Sequence, residues 1–170
     1  LYLCDLSDGS IIASSGAMNP QIRFGEDVMS RVSYAMMNED GAAAMTDAVR
    51  SELDRLVGVV LEDTAVTRDE VLNIVLVGNP VMHHLLLGLD PAPLGAAPFA
   101  LAIDEAMHLP ATSLDLNLNS GAQAYVLPCI AGHVGADTAA VILSEQPHKS
   151  AEPVLIIDIG TNAEIVLGDQ

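Results

Sequence analysis

The 170-residue chain carries 6 Lys+Arg against 23 Asp+Glu, which gives a formal net charge of −17. This balance argues against nucleic acid and against anionic membrane surfaces as partners, because both attract basic segments. The hydrophobic share of 51% is mostly aliphatic and suffices for one packed core. No apolar run approaches the ~20 residues of a membrane-spanning helix, so we expect a cytoplasmic protein.

The first third of the chain predicts a β-hairpin followed by two helices. Two alternating segments flank Asp8-Gly9, a pair that supplies the positive φ angles of tight turns. Apolar residues at helical spacing predict a helix over residues 26–37. A second apolar stripe predicts a helix capped by Thr46 that ends near Leu61 and packs on a sheet.

The middle of the chain predicts a strand, a loop and a helix. Thr67 and Glu70 fit a capping box, in which the two side chains satisfy each other's backbone amides. Residues 73–77 are apolar on both faces, which is typical of a fully covered, central, parallel strand. A helix is expected over residues 81–87, where Gly88 ends it.

The last part of the chain contains shorter elements. Proline residues favour an extended surface connection over residues 88–101. A short strand is expected at residues 124–127 and a helix over residues 136–143. Residues 154–157 predict a buried strand, and residues 164–167 return after a turn.

The turn after this last strand is the sharpest candidate site. Asp158 ends an apolar strand and is followed by Gly160-Thr161. An aspartate in this position can face a hydrated Mg²⁺ while turn amides and the threonine hydroxyl hold phosphate oxygens. An ordinary hairpin turn is an equally weighted alternative.

Two further candidates lie around the middle helix. Gly78-Asn79 follows a strand at the edge where α/β sheets bind ligands, although a simple turn before a helix starting at Pro80 explains it as well. His83 and His84 are adjacent and face different directions on a helix, which makes them a poor metal pair. We expect one of the two imidazoles to be buried and the other to be exposed.

Some polar and thiol side chains leave their role open. Asn19, Gln21 and Asp27 could line a cleft or cap the first helix. Cys4 and Cys129 lie too far apart in sequence to form a CxxC unit, and two thiols do not complete an iron–sulfur site. We expect both cysteines to be buried as small apolar residues.

Four ordered blocks of the sequence resemble the ATP-dependent reductive activators of corrinoid proteins. These activators are part of the acetate and sugar kinase, heat-shock chaperone and actin (ASKHA) superfamily. The similarity extends over nearly the whole chain. The blocks are residues 19–21 with 25–28, residues 77–88, residues 128–137 and residues 158–162.

The resemblance implies an α/β fold, a ribonuclease-H-like lobe of an actin-like ATPase with a mixed sheet and flanking helices. It implies a fragment of a longer chain, in which residues 1–127 form a first lobe without its first strand. Residues 128–153 would be the connecting helix and crossover, and residues 154–170 the opening hairpin of a second lobe.

The resemblance also implies a set of site residues. Asp158 would be the catalytic residue and the metal ligand. The nucleotide would be held by Asp158, Gly160, Thr161, Asn162, Gly78, Asn79 and Gly132.

The activity implied by the resemblance is the ATP-driven transfer of an electron to an inactive Co(II) corrinoid protein, which restores Co(I) for methyl transfer. ATP and Mg²⁺ would be the cofactors, with a [2Fe–2S] cluster in a domain outside this fragment, so the fragment alone would be inactive. The partner would be a corrinoid protein, and the resemblance leaves open whether the protein forms a homodimer. A small-molecule kinase of the same superfamily and a nucleotide-dependent binding module without turnover are the alternatives.

Overall fold

A computed structural model describes residues 1–159 and 163–170. These residues form short strands and α-helices joined by 3₁₀ turns and loops. The strands are β1 (Tyr2–Cys4), β2 (Ile11–Ser14), β3 (Asn73–Leu76), β4 (Met107–Pro110), β5 (Gln123–Val126), β6 (Val154–Ile159) and β7 (Ala163–Gly168). The helices are α1 (Val28–Met37), α2 (Gly41–Leu61), α3 (Pro80–Leu87) and α4 (Ala136–Glu145).

The strands pair into small sheets of both senses. β1 and β2 form the predicted antiparallel hairpin, with Gly9 at φ +77° between them. β3 runs parallel to β5, and β4 runs antiparallel to β5, in the order β3-β5-β4. β6 and β7 pair antiparallel. This mixed arrangement with flanking helices confirms the predicted α/β class.

Two groups of buried apolar side chains hold the helices to the sheet and to one another. One group joins the apolar stripe of α2 to the inner face of β3 and β5, as the sequence predicts. The other group joins α1, α2 and α3. Each fully buried aliphatic side chain contributes about 1.5–3 kcal/mol relative to an exposed one, so these contacts fix the positions of the loops between elements. The second group consists of Val32, Met45, Val81, Leu85 and Leu94.

The predicted start of α2 is wrong. The helix begins at Gly41 rather than after Thr46, because the intervening Ala-rich residues are strong helix formers. Thr46 is buried inside the helix, and its Oγ1 donates a hydrogen bond of 2.6 Å to the carbonyl of Leu85. The hydroxyl therefore ties α2 to α3 instead of capping α2.

The predicted covering of β3 is also wrong, although its parallel pairing with β5 is confirmed. β3 lies at the edge of its sheet in the described part of the chain. Ile74 and Leu76 are buried, whereas Val75 on the opposite face is 60% exposed. An apolar strand sequence shows that both faces suit a core, but it does not show what packs on each face.

The connection after α3 is more ordered than an extended surface segment. It contains the 3₁₀ turn Ala92–Gly95, and Leu94 inserts into the second core group. Gly95 permits this packing, because a Cβ there would lie 2.7 Å from Cγ1 of Val32. β4 follows as a strand that the weak periodicity of its sequence did not predict.

Two burial predictions fail where a strand pairs on one side only. β6 is half exposed along its length rather than buried, because it pairs with β7 alone in the described residues. Cys129 is buried as expected, but Cys4 in the β1–β2 hairpin is exposed.

Among the described helices, none combines the length and apolar composition needed to cross a membrane.

Candidate functional site

A cavity of about 270 Å³ collects side chains from four separate parts of the chain. One wall comes from the loop before α1 and its first turn, and another from the start of α3. The remaining walls come from the segment before α4 and from the β6–β7 hairpin. The lining residues are Asn19, Glu26, Asp27, Val28, Arg31, Asn79, Pro80, Met82, Gly132, His133, Asp137, Asp158 and Glu164.

The wall at α1 is built by capping side chains. Oδ1 of Asp27 accepts a hydrogen bond of 2.7 Å from the amide of Ser30, and this bond lowers the pKa of the Asp27 carboxyl. Oδ1 of Asn19 caps the preceding 3₁₀ turn by accepting from the amide of Gln21 at 2.9 Å. Both residues therefore cap a turn and line the cavity. Gln21 instead points into the core and donates to the carbonyl of Met45.

The wall at α3 depends on the loop after β3. Asn79 caps α3 by accepting a hydrogen bond of 2.9 Å from the amide of Met82. Pro80 is the first helical residue, one position before the expected start at residue 81, and this agrees with the alternative of a turn followed by a helix that starts at Pro80. The carbonyl of Gly78 accepts a bond of 3.0 Å from the amide of Ala136. This bond fixes the first turn of α4 against the loop.

The segment before α4 approaches its neighbours closely. Gly132 packs against the backbone of Phe99, where a Cβ would overlap the carbonyl oxygen. The ring of His133 meets the ring of Phe99 edge to face, with 4.3 Å between centroids. Asp137 follows in the first turn of α4, where an acidic side chain is favoured by the helix dipole. The absence of a side chain at Gly132 therefore allows this segment to pack against Phe99.

The hairpin wall brings two carboxylates together. Asp158 on β6 is the direct cross-strand neighbour of Glu164 on β7, and both side chains are half-buried in the cavity wall. Like charges in this arrangement repel each other unless a cation lies between them. Gly160, Thr161 and Asn162, the other predicted residues of this turn, lie outside the described residues.

The described residues contain no group of three or more His, Cys, Asp or Glu side chains placed to hold a metal ion. A magnesium ion here would therefore take further oxygen ligands from water and from a bound phosphate. This is the usual way Mg²⁺ binds, since it uses one or two carboxylates together with substrate oxygens.

The structure brings three of the predicted site residues into one cavity: Asn79, Gly132 and Asp158. Gly78 lines a smaller apolar cavity of about 80 Å³ beside α2 instead. Sequence reasoning assigned no site role to Arg31 or Glu164. Helical spacing from Asp27 and strand register from Asp158 are the signals that place these two residues on the same walls.

The prediction for the histidine pair is wrong. His83 and His84 are both buried, because α3 packs against both groups of core residues. Nδ1 of His84 lies 2.8 Å from the carbonyl of Pro80, and its Nε2 accepts from the amide of Ala102. Neither histidine lines the larger cavity.

The family model described as "RACo middle region" matches residues 1–150. The chain belongs to the RACo middle region family. It is 33% identical over 168 residues to the corrinoid activation enzyme RamQ of Eubacterium limosum, covering 99% of this chain and 28% of that protein. The resemblance to reductive activators of corrinoid proteins is thereby confirmed.

Among solved structures, this member of the RACo middle region family is similar to a reductive activator for a corrinoid, iron-sulfur protein. The two share 35% sequence identity and a TM-score of 0.95, over 99% of this chain and 27% of the other. The chain thus spans about a quarter of the length of these relatives. The solved relative has the same arrangement of elements along almost the whole of this chain.

Proposed function

We propose that the chain is part of an ATP-dependent reductive activator of a corrinoid protein, and that the cavity forms part of its nucleotide cleft. The observation that carries this proposal is the composition of the cavity. All four sequence blocks that resemble the activators contribute side chains to it. The names of the relatives, a corrinoid activation enzyme and a reductive activator, agree with that role.

The proposed lobes follow the same argument. Residues 1–127 would form most of a ribonuclease-H-like first lobe of the ASKHA type, which contains the parallel β3–β5 pair. Residues 128–153 would connect the lobes through α4, and residues 154–170 would open the second lobe with the β6–β7 hairpin. A cavity between these parts is where a two-lobed nucleotide-binding protein holds its ligand.

The chemistry of the walls suits a magnesium-bound polyphosphate. The cavity volume of about 270 Å³ is close to the lower end of the ~300–1,000 Å³ typical of ligand pockets. Carboxylates from Asp158 and Glu164 stand on one wall, and the guanidinium of Arg31 stands on another. Such a combination offers oxygen ligands to a cation and hydrogen-bond donors to an anion.

Each residue then has a defined part. Asp158 would hold Mg²⁺ or a water bound to it, while Gly160, Thr161 and Asn162 would surround phosphate oxygens. Asn79 and Gly132 would shape the wall beside them, and Gly78 would position α4 through its carbonyl. ATP, when bound, supplies the free energy for moving an electron to the Co(II) corrinoid, and a [2Fe–2S] cluster outside these residues would supply that electron.

The substitution Asp158→Asn tests this proposal in the full-length protein. It keeps the side-chain shape but removes the charge that faces the metal. An electrostatic contribution of this kind in a closed cleft amounts to ~3 kcal/mol, so we expect phosphate release to fall on the order of a hundredfold. Conversion of the partner from Co(II) to Co(I) should fail with it. Both are measured in parallel, by phosphate assay and by corrinoid absorption.

The matched control is Asp63→Asn, because Asp63 is exposed after α2 and lies outside the cavity lining. It should leave both activities unchanged. If Asp158→Asn also leaves both unchanged, Asp158 only forms a turn and the proposed site is wrong. Phosphate transfer to a small molecule without any corrinoid reduction would favour a kinase. Nucleotide binding without phosphate release would favour a binding module.

A further inference from the structure

Arg31 is a buried cation that lines the cavity without a carboxylate partner. The residue is 5% exposed, in the first turns of α1. The described ion pairs within 4.0 Å involve Arg50, Arg55 and Arg68, and Arg31 belongs to none of them. A charge removed from water is costly unless an opposite charge or hydrogen bonds compensate it.

One backbone group anchors the Arg31 side chain. Its Nε donates a hydrogen bond of 3.0 Å to the carbonyl of Gly25. Gly25 lies too close to α1 for a side chain, since a Cβ there would be 2.7 Å from the amide nitrogen of Arg31. The loop therefore fixes the stem of the guanidinium, and its two Nη groups form no hydrogen bond with the described residues. Those Nη groups offer the planar pair of donors that binds a phosphate through two parallel bonds.

Asp27, the acidic residue that acts on Arg31, already caps α1. The carboxylate of Asp27 accepts the amide hydrogen bond from Ser30 that caps α1. Asp27 raises the pKa of Arg31, but burial lowers it more strongly, so the neighbouring charge compensates the guanidinium incompletely. Arginine remains protonated in proteins despite such a shift. The Nη groups of Arg31 stay accessible from the cavity, so an anion that enters the cavity can pair with them.

The other charges of the cavity narrow the class of ligand. Five carboxylates line the cavity beside Arg31 and together favour a cation, whereas the Arg31 guanidinium favours an anion. They belong to Glu26, Asp27, Asp137, Asp158 and Glu164. A magnesium-bound polyphosphate supplies both charges in one ligand. A neutral ligand or a simple carboxylate would leave the carboxylates of the cavity without a cation.

We propose that Arg31 binds a phosphate group of the nucleotide and determines the preference of this site for polyphosphates over the bare nucleoside. This inference rests on the proposed function, because it assumes that the cavity is part of a nucleotide cleft. Arg31 acts on ligand binding, and its contribution grows with the number of phosphates that the ligand carries.

Calorimetric titrations of the full-length protein with Mg-ATP, Mg-ADP and adenosine test the proposal. The variants are Arg31→Gln, Arg31→Lys and the control Arg23→Gln, since Arg23 is exposed and stacks on Phe24 outside the cavity. We expect Arg31→Gln to weaken Mg-ATP binding about 10–100-fold, the usual loss for a charged hydrogen-bonded pair, while adenosine binds unchanged. Arg31→Lys should lose severalfold, because lysine lacks the planar pair of donors.

The titrations distinguish the role of Arg31 from the proposed nucleotide cleft. Mg-ATP binding by the wild type with an unchanged ATP-to-adenosine ratio in Arg31→Gln overturns the role of Arg31 and leaves the proposed function standing. Failure of the wild type to bind Mg-ATP overturns both. If circular dichroism shows that Arg31→Gln is unfolded, the test uses Arg31→Lys instead. A ratio of Mg-ATP affinity to adenosine affinity in Arg31→Lys equal to that of the wild type would contradict the proposal.

Discussion

At the scale of single residues, the two imidazoles of α3 show how burial and hydrogen bonding set a protonation state. The His84 Nε2 accepts a hydrogen bond from a backbone amide, so its Nδ1 carries the proton and donates to the carbonyl of Pro80. His83 is 2% exposed, and neither of its ring nitrogens has a hydrogen-bond partner among the described residues. Burial, with a smaller effect of His84, lowers the pKa of His83 to about 4.

The substitution His83→Leu should therefore reduce the pH dependence of stability. In the unfolded chain His83 has its ordinary pKa of about 6.5 and takes up a proton below that pH, whereas the folded chain resists protonation down to pH 4. The contribution of the neutral His83 imidazole to the free energy of unfolding is fully present above pH 6.5 and is lost as the pH falls towards 4. We expect a loss of ~2 kcal/mol between pH 7.5 and pH 5.0 in the wild type that His83→Leu lacks.

Urea unfolding at the two pH values measures this difference. His148→Gln is the control, because His148 is exposed and its replacement should preserve the wild-type pH dependence. Equal pH dependence in His83→Leu and the wild type would show that the His83 imidazole is not the group that titrates on unfolding.

At the scale of secondary-structure elements, the position of α4 depends on a glycine contact. A Cβ on Gly135 would lie 2.6 Å from Cα of Asn79 and 2.7 Å from the carbonyl oxygen of Gly78. The φ of Gly135 is −88°, which any residue can adopt, so only the lack of space requires glycine here. This close approach lets the amide of Ala136 reach the loop after β3.

The substitution Gly135→Ala should push α4 away from that loop. Overpacking of this kind costs about 1–3 kcal/mol of unfolding free energy. Gly16→Ala is the matched control, because a Cβ on Gly16 would meet nothing within 4 Å. Chemical denaturation of both variants gives the comparison. Equal stability of the two would mean that the loop and α4 are not in firm contact.

Local sequence signals predicted the helices and hairpins well. The capping box at Thr67 and the stop at Gly88 act within a few residues, so their sequence is sufficient. The start of α2 was missed because alanine residues before Thr46 extend a helix without a distinctive cap. Burial of β3 and β6 was overstated, since covering depends on segments distant in sequence.

The candidate site was predictable only in part for the same reason. Asp158 lies near the end of β6 and Asn79 lies in the loop after β3, and a local sequence pattern identifies both positions. Arg31 carries no motif, and its place in the cavity appears only when the fold brings α1 next to the β6–β7 hairpin. Residues 160–162 lie outside the described part of the chain, so their predicted role in phosphate binding stays a prediction.

At the scale of the whole molecule, one surface stands out against the acidic composition. The outer face of the β6–β7 hairpin carries exposed aliphatic side chains in register on both strands. An apolar face of this size is unusual on an isolated soluble domain and is typical of a surface that another element covers. The proposal that β6 and β7 open a second lobe agrees with this face. Its side chains are Leu155, Ile157, Ile159, Ile165 and Leu167.

The central claim is that this chain serves an ATP-dependent reduction of a corrinoid protein. Because ATP would supply the driving free energy, a reductant alone should leave most of the cobalt as Co(II). Binding of ATP without hydrolysis should also be insufficient. The oxidation state of the cobalt should therefore depend on hydrolysis of the nucleotide.

The most direct test is anaerobic visible spectroscopy of a Co(II) corrinoid partner mixed with the full-length protein and a reductant, with and without Mg-ATP. A non-hydrolysable ATP analogue is the control. We expect the Co(I) absorption to appear with Mg-ATP and to remain near baseline with the analogue or without nucleotide. Co(I) formation at the same rate and to the same extent in all three mixtures, or in none of them, would contradict the proposed function.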